Sequence, residues 1–129
     1  MTPGERYRSL RENIPPEVEI VLAAKRRNPE EVRDVINAGA LNIGYNFVQE
    51  AENMRLSLGM AASSVRWHMI GHLQTNKINK SLEIFDFIQT VDSVERAIAI
   101  DSRVKARGRE PVPVLLEITA ACGTRRMVG

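Results

Sequence analysis

A lysine stands where a predicted strand ends. Lys25 directly follows the apolar run Val21 to Ala24, and ligands of parallel α/β folds bind at the carboxyl ends of strands. A partly desolvated amine beside Arg26 and Arg27 would favour the neutral form, which is the form that attacks an aldehyde. Because a Lys-Arg-Arg run is also typical of a solvated basic turn before a helix, position alone leaves both interpretations open.

An asparagine occupies the same place behind the next predicted strand. In the segment GYNFVQE, residues 44–50, Asn46 follows a short apolar run, and Gly44 allows a close backbone approach. An asparagine at such a turn is also a common helix cap. Asn46 is therefore a candidate ligand-binding residue that its position does not separate from a cap.

The segment WHMIGHLQTNK, residues 67–77, contains the one tryptophan and both histidines. His68 and His72 are four residues apart, which on a helix could bind a metal, but a strand and a glycine turn separate them here. No Glu or Cys accompanies them as in zinc motifs, so we expect no metal site. Taken alone, His68 is better interpreted as a core histidine and Trp67 as packing.

The composition is that of one ordinary globular domain spanning residues 1–129, with 43% hydrophobic and 26% charged residues. The 18 Lys and Arg nearly match the 16 Asp and Glu, which gives only a weak argument for nucleic-acid binding. Cys122 is the one cysteine, so a reducing, cytoplasmic compartment is expected. The charged start lacks a signal-peptide core, and no run approaches the roughly 20 apolar residues of a membrane span.

Short apolar runs alternate with segments of helical period, which favours an α/β fold. Repeated strand-helix units require parallel strands, in either a doubly wound sheet or part of a (β/α) barrel, and the pattern does not separate the two. Strands are predicted at residues 18–24, 41–45, 65–70, 87–91 and 112–118. Helices are predicted at about residues 3–13, 29–38, 48–58 and 76–82 and between residues 92 and 108.

Start and stop signals agree best for the second helix. Asn28 is predicted to be its N-cap, Pro29 its first residue and Glu31 the partner in a capping box, and Gly39 marks its end.

The last helix has a similar start signal. Asp92 and Glu95 have the spacing of a capping box, and Gly108 marks the end of the helix. The apolar residues predicted to face inward are Val94, Ala97, Ile98 and Val104.

Four features follow one another in an order and spacing typical of one protein family: the strand ending at Lys25, the segments GYNFVQE and WHMIGHLQTNK, and the turn Val91-Asp92-Ser93. In these features the chain resembles the pyridoxal-phosphate homeostasis proteins, relatives of the N-terminal barrel of alanine racemase. The resemblance covers about residues 18–118, and WHMIGHLQTNK is its most specific part. It implies a (β/α) barrel of the TIM type, here about five parallel strands with outer helices.

The resemblance also implies a cofactor site. Lys25 matches the lysine that holds pyridoxal 5′-phosphate as a Schiff base, and Asn46 matches the asparagine of the family motif G-E-N-Y-V-Q-E. His68, His72 and Gln74 match the signature of the third strand. The family is thought to hold the cofactor and deliver it to apo-enzymes, without an established turnover reaction. We therefore expect a carrier in vitamin B6 and amino-acid homeostasis.

Some residues depart from the family pattern. Tyr45 replaces the usual Glu of the motif, Ala24 stands where Ser or Thr often precedes the lysine, and the loop RRNPEE differs from the common T-K-P form. None of these changes removes the chemistry of the lysine amine.

A full (β/α)₈ barrel typically needs about 250 residues. The family's phosphate-binding Ser, Gly and Arg positions belong to strands after the fifth. An alternative expectation is therefore a truncated member that binds the cofactor weakly. An open barrel also leaves residues 18–24 as an unpaired apolar edge, from which we expect self-association. Residues 119–129, TAACGTRRMVG, do not resemble the family and suggest a shifted frame or an altered terminus.

Two further classes of function are compatible with parts of the sequence. A basic RNA-binding or protein-interaction module would use Arg26, Arg27, Lys77, Lys80 and the pair Arg125-Arg126, but few aromatic residues are available for base stacking. An amino-acid racemase is related by fold. However, Pro29 occupies the position of the catalytic tyrosine that the resemblance to alanine racemase would require.

Overall fold

The computed structural model describes residues 1–118, and within them five strands form one parallel sheet in the order β1-β2-β3-β4-β5. The strands are β1 Leu22–Ala23, β2 Asn42–Tyr45, β3 Arg66–Met69, β4 Phe87–Val91 and β5 Val114–Leu116. The helices are α1 Pro3–Glu12, α2 Pro29–Asn37, α3 Val48–Leu58, α4 Ile78–Ile84 and α5 Val94–Ala106, with 3₁₀ turns at Gly59–Ser64 and Thr75–Lys77.

The strand order distinguishes the two parallel architectures. Strands that pair in chain order through right-handed crossovers carry their helices on one face, whereas a doubly wound sheet has its first strand in the centre. Here β1 pairs with β2, and each later strand adds on the far side of the one before it. The predicted partial barrel is confirmed.

The hydrophobic core lies between the sheet and the helices. Tyr45 and Trp67 stack side by side with ring centroids 5.8 Å apart, and both are almost fully buried. Each buried side chain of this size contributes roughly 1.5–3 kcal/mol to folding. The same layer includes Ile43, Val48, Ala51, Met54, Leu58, Met69, Leu73, Ile78, Leu82, Phe85 and Ile88.

The signals for α2 predicted its termini. Asn28 is the N-cap, its side chain accepts from the Glu31 N–H at 2.8 Å, and its own N–H donates to the Glu31 carboxylate at 3.1 Å. Beyond the helix, Gly39 has φ +107°, a left-handed conformation that favours glycine.

The first strand is shorter than predicted. Leu22 pairs with Ile43, so the register places residues 18–21 opposite residues 39–42, which are mostly the loop before β2. That part of the predicted strand therefore has no partner strand at its side. The carbonyl of Val18 instead accepts from the Arg11 guanidinium at 2.8 Å.

The predicted inward face and cap of α5 were partly wrong. Ser93, not Asp92, is the N-cap, and its hydroxyl accepts from the Arg96 N–H. Val94 and Ile98 are 75% and 63% exposed. The inward stripe of α5 consists of the half-buried Ala97 and the buried Ile100 and Val104, since positions 3, 4 and 7 apart share one helix face.

Two further elements differ in detail. The helix predicted as short and polar near residues 76–82 is a 3₁₀ turn followed by α4, and α4 buries Ile78, Leu82 and Ile84. The fifth strand starts at Val114, after Pro111 and Pro113, which supply no N–H to the ladder.

Residues 119–129, with Cys122 and the Arg125-Arg126 pair, lie outside the described residues. None of the described helices has the length and hydropathy needed to cross a bilayer.

Candidate functional site

Lys25 lies in a tight turn at the carboxyl end of β1. The Ala24 N–H donates to the Gly44 carbonyl at 3.0 Å, and the Arg27 N–H donates to the Ala24 carbonyl at 3.2 Å, which closes the turn around Lys25 and Arg26. The Lys25 side chain is exposed. The expected partial desolvation is thus wrong for the described residues, because β1 has a strand on only one side. The amine is accessible to a small molecule.

Arg26 gives this turn an unusual backbone. Its φ is +62°, which residues other than Gly and Asn rarely adopt. Its N–H donates to the carboxylate of Glu50 at 2.6 Å, across 24 residues of sequence. Nothing in the sequence singles out Glu50, since no local pattern indicates a contact between two separate loops.

Asn46 follows β2 as predicted, and it is half-buried. The N-cap of α3 is Phe47, which makes no side-chain cap hydrogen bond, so Asn46 does not serve as the cap. Gly71 packs directly against the Asn46 backbone: a Cβ built on Gly71 would lie 2.6 Å from the Asn46 Cα. The loops after β2 and β3 are therefore held in contact by a glycine.

A cavity of about 470 Å³ opens between these two loops, at the carboxyl ends of β2 and β3. Three of the predicted site residues line it, namely Asn46, His72 and Gln74, together with the exposed Phe47 and Lys77. Lys25 and His68 are not among its lining residues. The structure therefore brings three of the five predicted residues to one cavity.

His68 is buried in β3 within a network across three strands. Its Nε2 lies 2.9 Å from Asn42 Oδ1, its Nδ1 lies 3.1 Å from Gln89 Nε2, and its ring stacks on Phe87 at a centroid distance of 4.9 Å. Desolvation by burial, and then the charge of Arg66, lower the pKa of His68. A neutral ring that donates from Nε2 and accepts at Nδ1 satisfies both neighbours.

His72 is exposed, and a cation lies beside it. Its Nε2 is 3.4 Å from an Arg96 guanidinium nitrogen, and Arg96 also forms an ion pair with Asp92. This cluster joins the carboxyl ends of β3 and β4 at the start of α5. Its only sequence signal is the spacing of Asp92 and Arg96, four residues apart.

The cations of the alternative basic module are partly neutralised. Arg27 pairs with Glu31 at 3.2 Å, and Lys80 pairs with Glu52 at 2.9 Å. Within residues 1–118, no three His, Cys, Asp or Glu side chains cluster as a metal site would require.

The parallel strands in chain order define the class of this protein as a partial (β/α) barrel. Its candidate site lies at the carboxyl ends of the strands, where the sites of such barrels are found.

No protein-family model matches the chain. Individual proteins do. The pyridoxal phosphate homeostasis protein of Buchnera aphidicola is 30% identical over 105 residues, 78% of this chain and 50% of that protein. The Escherichia coli protein of the same name is also 30% identical over 105 residues, 81% of this chain and 44% of that protein.

A solved structure shows the same likeness. PipY of Synechococcus elongatus, determined with pyridoxal phosphate bound, is 35% identical and superimposes with a TM-score of 0.80, covering 85% of this chain and 51% of that one. In sequence and in fold, the chain is similar to the pyridoxal phosphate homeostasis proteins over the part that it shares with them. It spans about half the length of the curated relatives it matches.

Proposed function

We propose that this chain binds pyridoxal 5′-phosphate at the carboxyl ends of its strands and that the Lys25 amine is the group that takes the cofactor's aldehyde. The observation that carries the proposal is the position of Lys25: it follows the first strand of a (β/α) barrel, with its turn fixed and its amine exposed. The family relationship supplies the chemical class of the ligand.

The chain's own residues fit such a ligand. When bound, pyridoxal phosphate supplies an aldehyde, and a lysine amine condenses with it with loss of one water. The Asn46 and Gln74 amides and the His72 imidazole line the neighbouring cavity and offer donors and acceptors for ring substituents. His68 would form part of the barrel interior below the site, where hydrogen bonds to both ring nitrogens fix the orientation of its ring.

In the cell, the proposed role is to hold and release the cofactor in vitamin B6 and amino-acid homeostasis, with apo-enzymes as acceptors. A carrier of this kind requires a reversible bond and an accessible amine rather than an acid-base pair. The exposed Lys25 agrees with that requirement, and so does His68, whose two ring nitrogens are both hydrogen-bonded within the barrel.

The test is chemical trapping at a named residue. The chain is incubated with pyridoxal phosphate and reduced with borohydride, and the labelled peptide is mapped by mass spectrometry. We expect label at Lys25 well before Lys77, Lys80 and Lys105, and none at position 25 in the Lys25→Ala variant.

The matched control is Lys25→Arg, which keeps the positive charge and lacks a condensing amine. If positive charge alone recruits the cofactor, the total label per chain will be the same in Lys25→Arg and in wild type. Label spread evenly over all lysines of the wild type would contradict Lys25 as the site.

A further inference from the structure

Three of the helices within residues 1–118 have a glutamate at their third position, and one of these glutamates makes a different contact from the other two. Glu5 in α1 and Glu31 in α2 close capping boxes, each carboxylate accepting from the N–H of its own N-cap residue. Glu50 in α3 has the same helical position, but its carboxylate accepts from the N–H of Arg26 instead.

The position of Glu50 suits that contact. The first turn of a helix carries a partial positive charge and unpaired N–H groups, which stabilise a carboxylate placed there. Glu50 is half-buried between α3 and the loop after β1. A rigid helix thus presents a fixed acceptor to a loop on the neighbouring strand.

The residue that donates this hydrogen bond to Glu50 has a strained backbone. Arg26 has φ +62°, a conformation that costs an L residue stability unless its surroundings enforce it. Two backbone hydrogen bonds fix the ends of the turn: the Arg27 N–H donates to the Ala24 carbonyl, and the Ala24 N–H donates to the Gly44 carbonyl. The bond from Arg26 to Glu50 at 2.6 Å fixes its middle, one residue after Lys25.

We propose that Glu50 is a positioning residue for Lys25: by accepting from the Arg26 N–H, it holds the turn that directs the lysine amine. The inference rests on the proposed cofactor role of Lys25. It adds a dependence of that site on α3, an element that contains none of the residues predicted to contact the cofactor. Glu50 touches the turn and not the cofactor.

The test follows two quantities in the same set of variants. Exchange of the Arg26 amide with solvent, measured by NMR, reports the hold on the turn. The pyridoxal phosphate concentration that half-saturates borohydride-trapped label at Lys25 reports the placement of the amine, with label at Lys105 as the internal reference.

In Glu50→Ala, we expect the Arg26 amide to exchange about tenfold faster, and half-saturation of Lys25 to need roughly fivefold to tenfold more cofactor. Glu50→Gln retains an acceptor oxygen and should stay within about threefold of wild type. Glu52→Ala is the matched control, since Glu52 lies in the same helix and binds Lys80 at 2.9 Å.

A second substitution separates positioning from general loss of structure. Glycine adopts φ +62° without strain, so Arg26→Gly in the Glu50→Ala background should recover much of the Lys25 labelling. A merely structural role of Glu50 in α3 would leave the double variant as poor as Glu50→Ala.

The outcomes distinguish the two proposals. Failure of wild-type Lys25 to be labelled ahead of Lys105 rejects the cofactor site, and the positioning role falls with it, while amide exchange still shows whether Glu50 holds the turn. Preferential labelling that is equal in wild type and Glu50→Ala rejects the positioning role alone. So does an Arg26 amide whose exchange is unchanged in Glu50→Ala.

Discussion

His68 shows how the environment of one side chain decides its chemistry. Both ring nitrogens are engaged, one by Asn42 and one by Gln89, and the ring is buried against Phe87. Burial disfavours the charged imidazolium, and Asp86 and Glu19 only partly oppose that effect on the pKa. The residue that a zinc or acid-base hypothesis would single out is therefore a neutral part of the barrel interior.

The lowered pKa of His68 predicts a pH dependence of stability. The unfolded chain binds a proton near pH 6.5, whereas the folded chain resists protonation until a lower pH. This contribution to the free energy of unfolding is therefore fully present above about pH 6.5 and is lost as the pH falls through the folded pKa, with a slope of at most about 1.4 kcal/mol per pH unit. Urea unfolding at a series of pH values measures it.

The slope should be smaller in His68→Gln than in wild type, because that variant lacks the buried imidazole. Equal slopes in wild type and His68→Gln would show that other groups cause the acid sensitivity.

Tyr45 predicts a stabilising substitution. Its ring is fully buried on Trp67, and its hydroxyl has no hydrogen-bond partner in the described part of the chain. Burial, and secondarily the Glu50 charge, raise the pKa of this phenol. Because an unpaired buried hydroxyl costs about 1–3 kcal/mol, Tyr45→Phe should raise the free energy of unfolding by about 1 kcal/mol.

Tyr7→Phe is the control, since the Tyr7 hydroxyl donates to the Gly39 carbonyl at 3.5 Å and its removal offers no comparable gain. Chemical denaturation that finds Tyr45→Phe less stable than wild type would mean that the hydroxyl has a partner in solution.

The residues of the candidate site are of two kinds: those whose position follows from the end of a strand, and those whose contacts are distant in the sequence. The positions of Lys25 and Asn46 could be predicted, because each lies just beyond the carboxyl end of a strand and strand ends meet at one edge of a parallel sheet. Glu50 and Gln89 could not, because their contacts with Arg26 and His68 cross 24 and 21 residues of sequence. Only the folded barrel brings such pairs together.

At the scale of elements, local signals predicted α2 and α3 well and the orientation of α5 poorly. The α2 termini depend on a cap, a proline and a glycine that act within one turn. Helix α5 has apolar residues on two faces, and nothing local shows which face meets the sheet. Val94 and Ile98 lie on the other face, beside an open groove of about 510 Å³ next to β5.

The contact between the loops after β2 and β3 predicts a sensitive glycine. A methyl group on Gly71 would overlap the Asn46 backbone, with only 2.6 Å to its Cα, and a backbone cannot move aside as a side chain can. Gly71→Ala should lower the free energy of unfolding by about 1–3 kcal/mol and open the cavity lined by Asn46 and His72.

Gly44→Ala is the matched comparison, because a Cβ there would lie 2.9 Å from the flexible end of Ile70. Its cost should be smaller, and thermal unfolding of both variants ranks them. A Gly71→Ala variant as stable as wild type would mean that the two loops do not touch as described.

At the scale of the whole molecule, the alternation of strands and helices indicated a parallel α/β fold, but only the family resemblance selected a barrel. The physical reason is that both parallel architectures use the same strand-helix unit and differ in which strands are neighbours. Length of the first strand was also beyond local reasoning. An apolar run becomes a strand only where a neighbour pairs with it, and residues 18–21 lie beside a loop.

The open sheet predicts self-association through its first strand. In the described residues, only β2 pairs with β1, and Val18 ahead of the strand is 45% exposed. An apolar sheet edge can associate with another chain, and a charge beside such an edge opposes this association. We expect Val18→Lys to weaken association by roughly tenfold, which corresponds to about 1.4 kcal/mol and is within the value of one buried valine. Sedimentation over a wide concentration range measures it, with Leu56→Lys as control because Leu56 is 76% exposed on α3, away from this edge. A wild-type chain that stays monomeric at all concentrations, or equal association of both variants, would contradict an interface at β1.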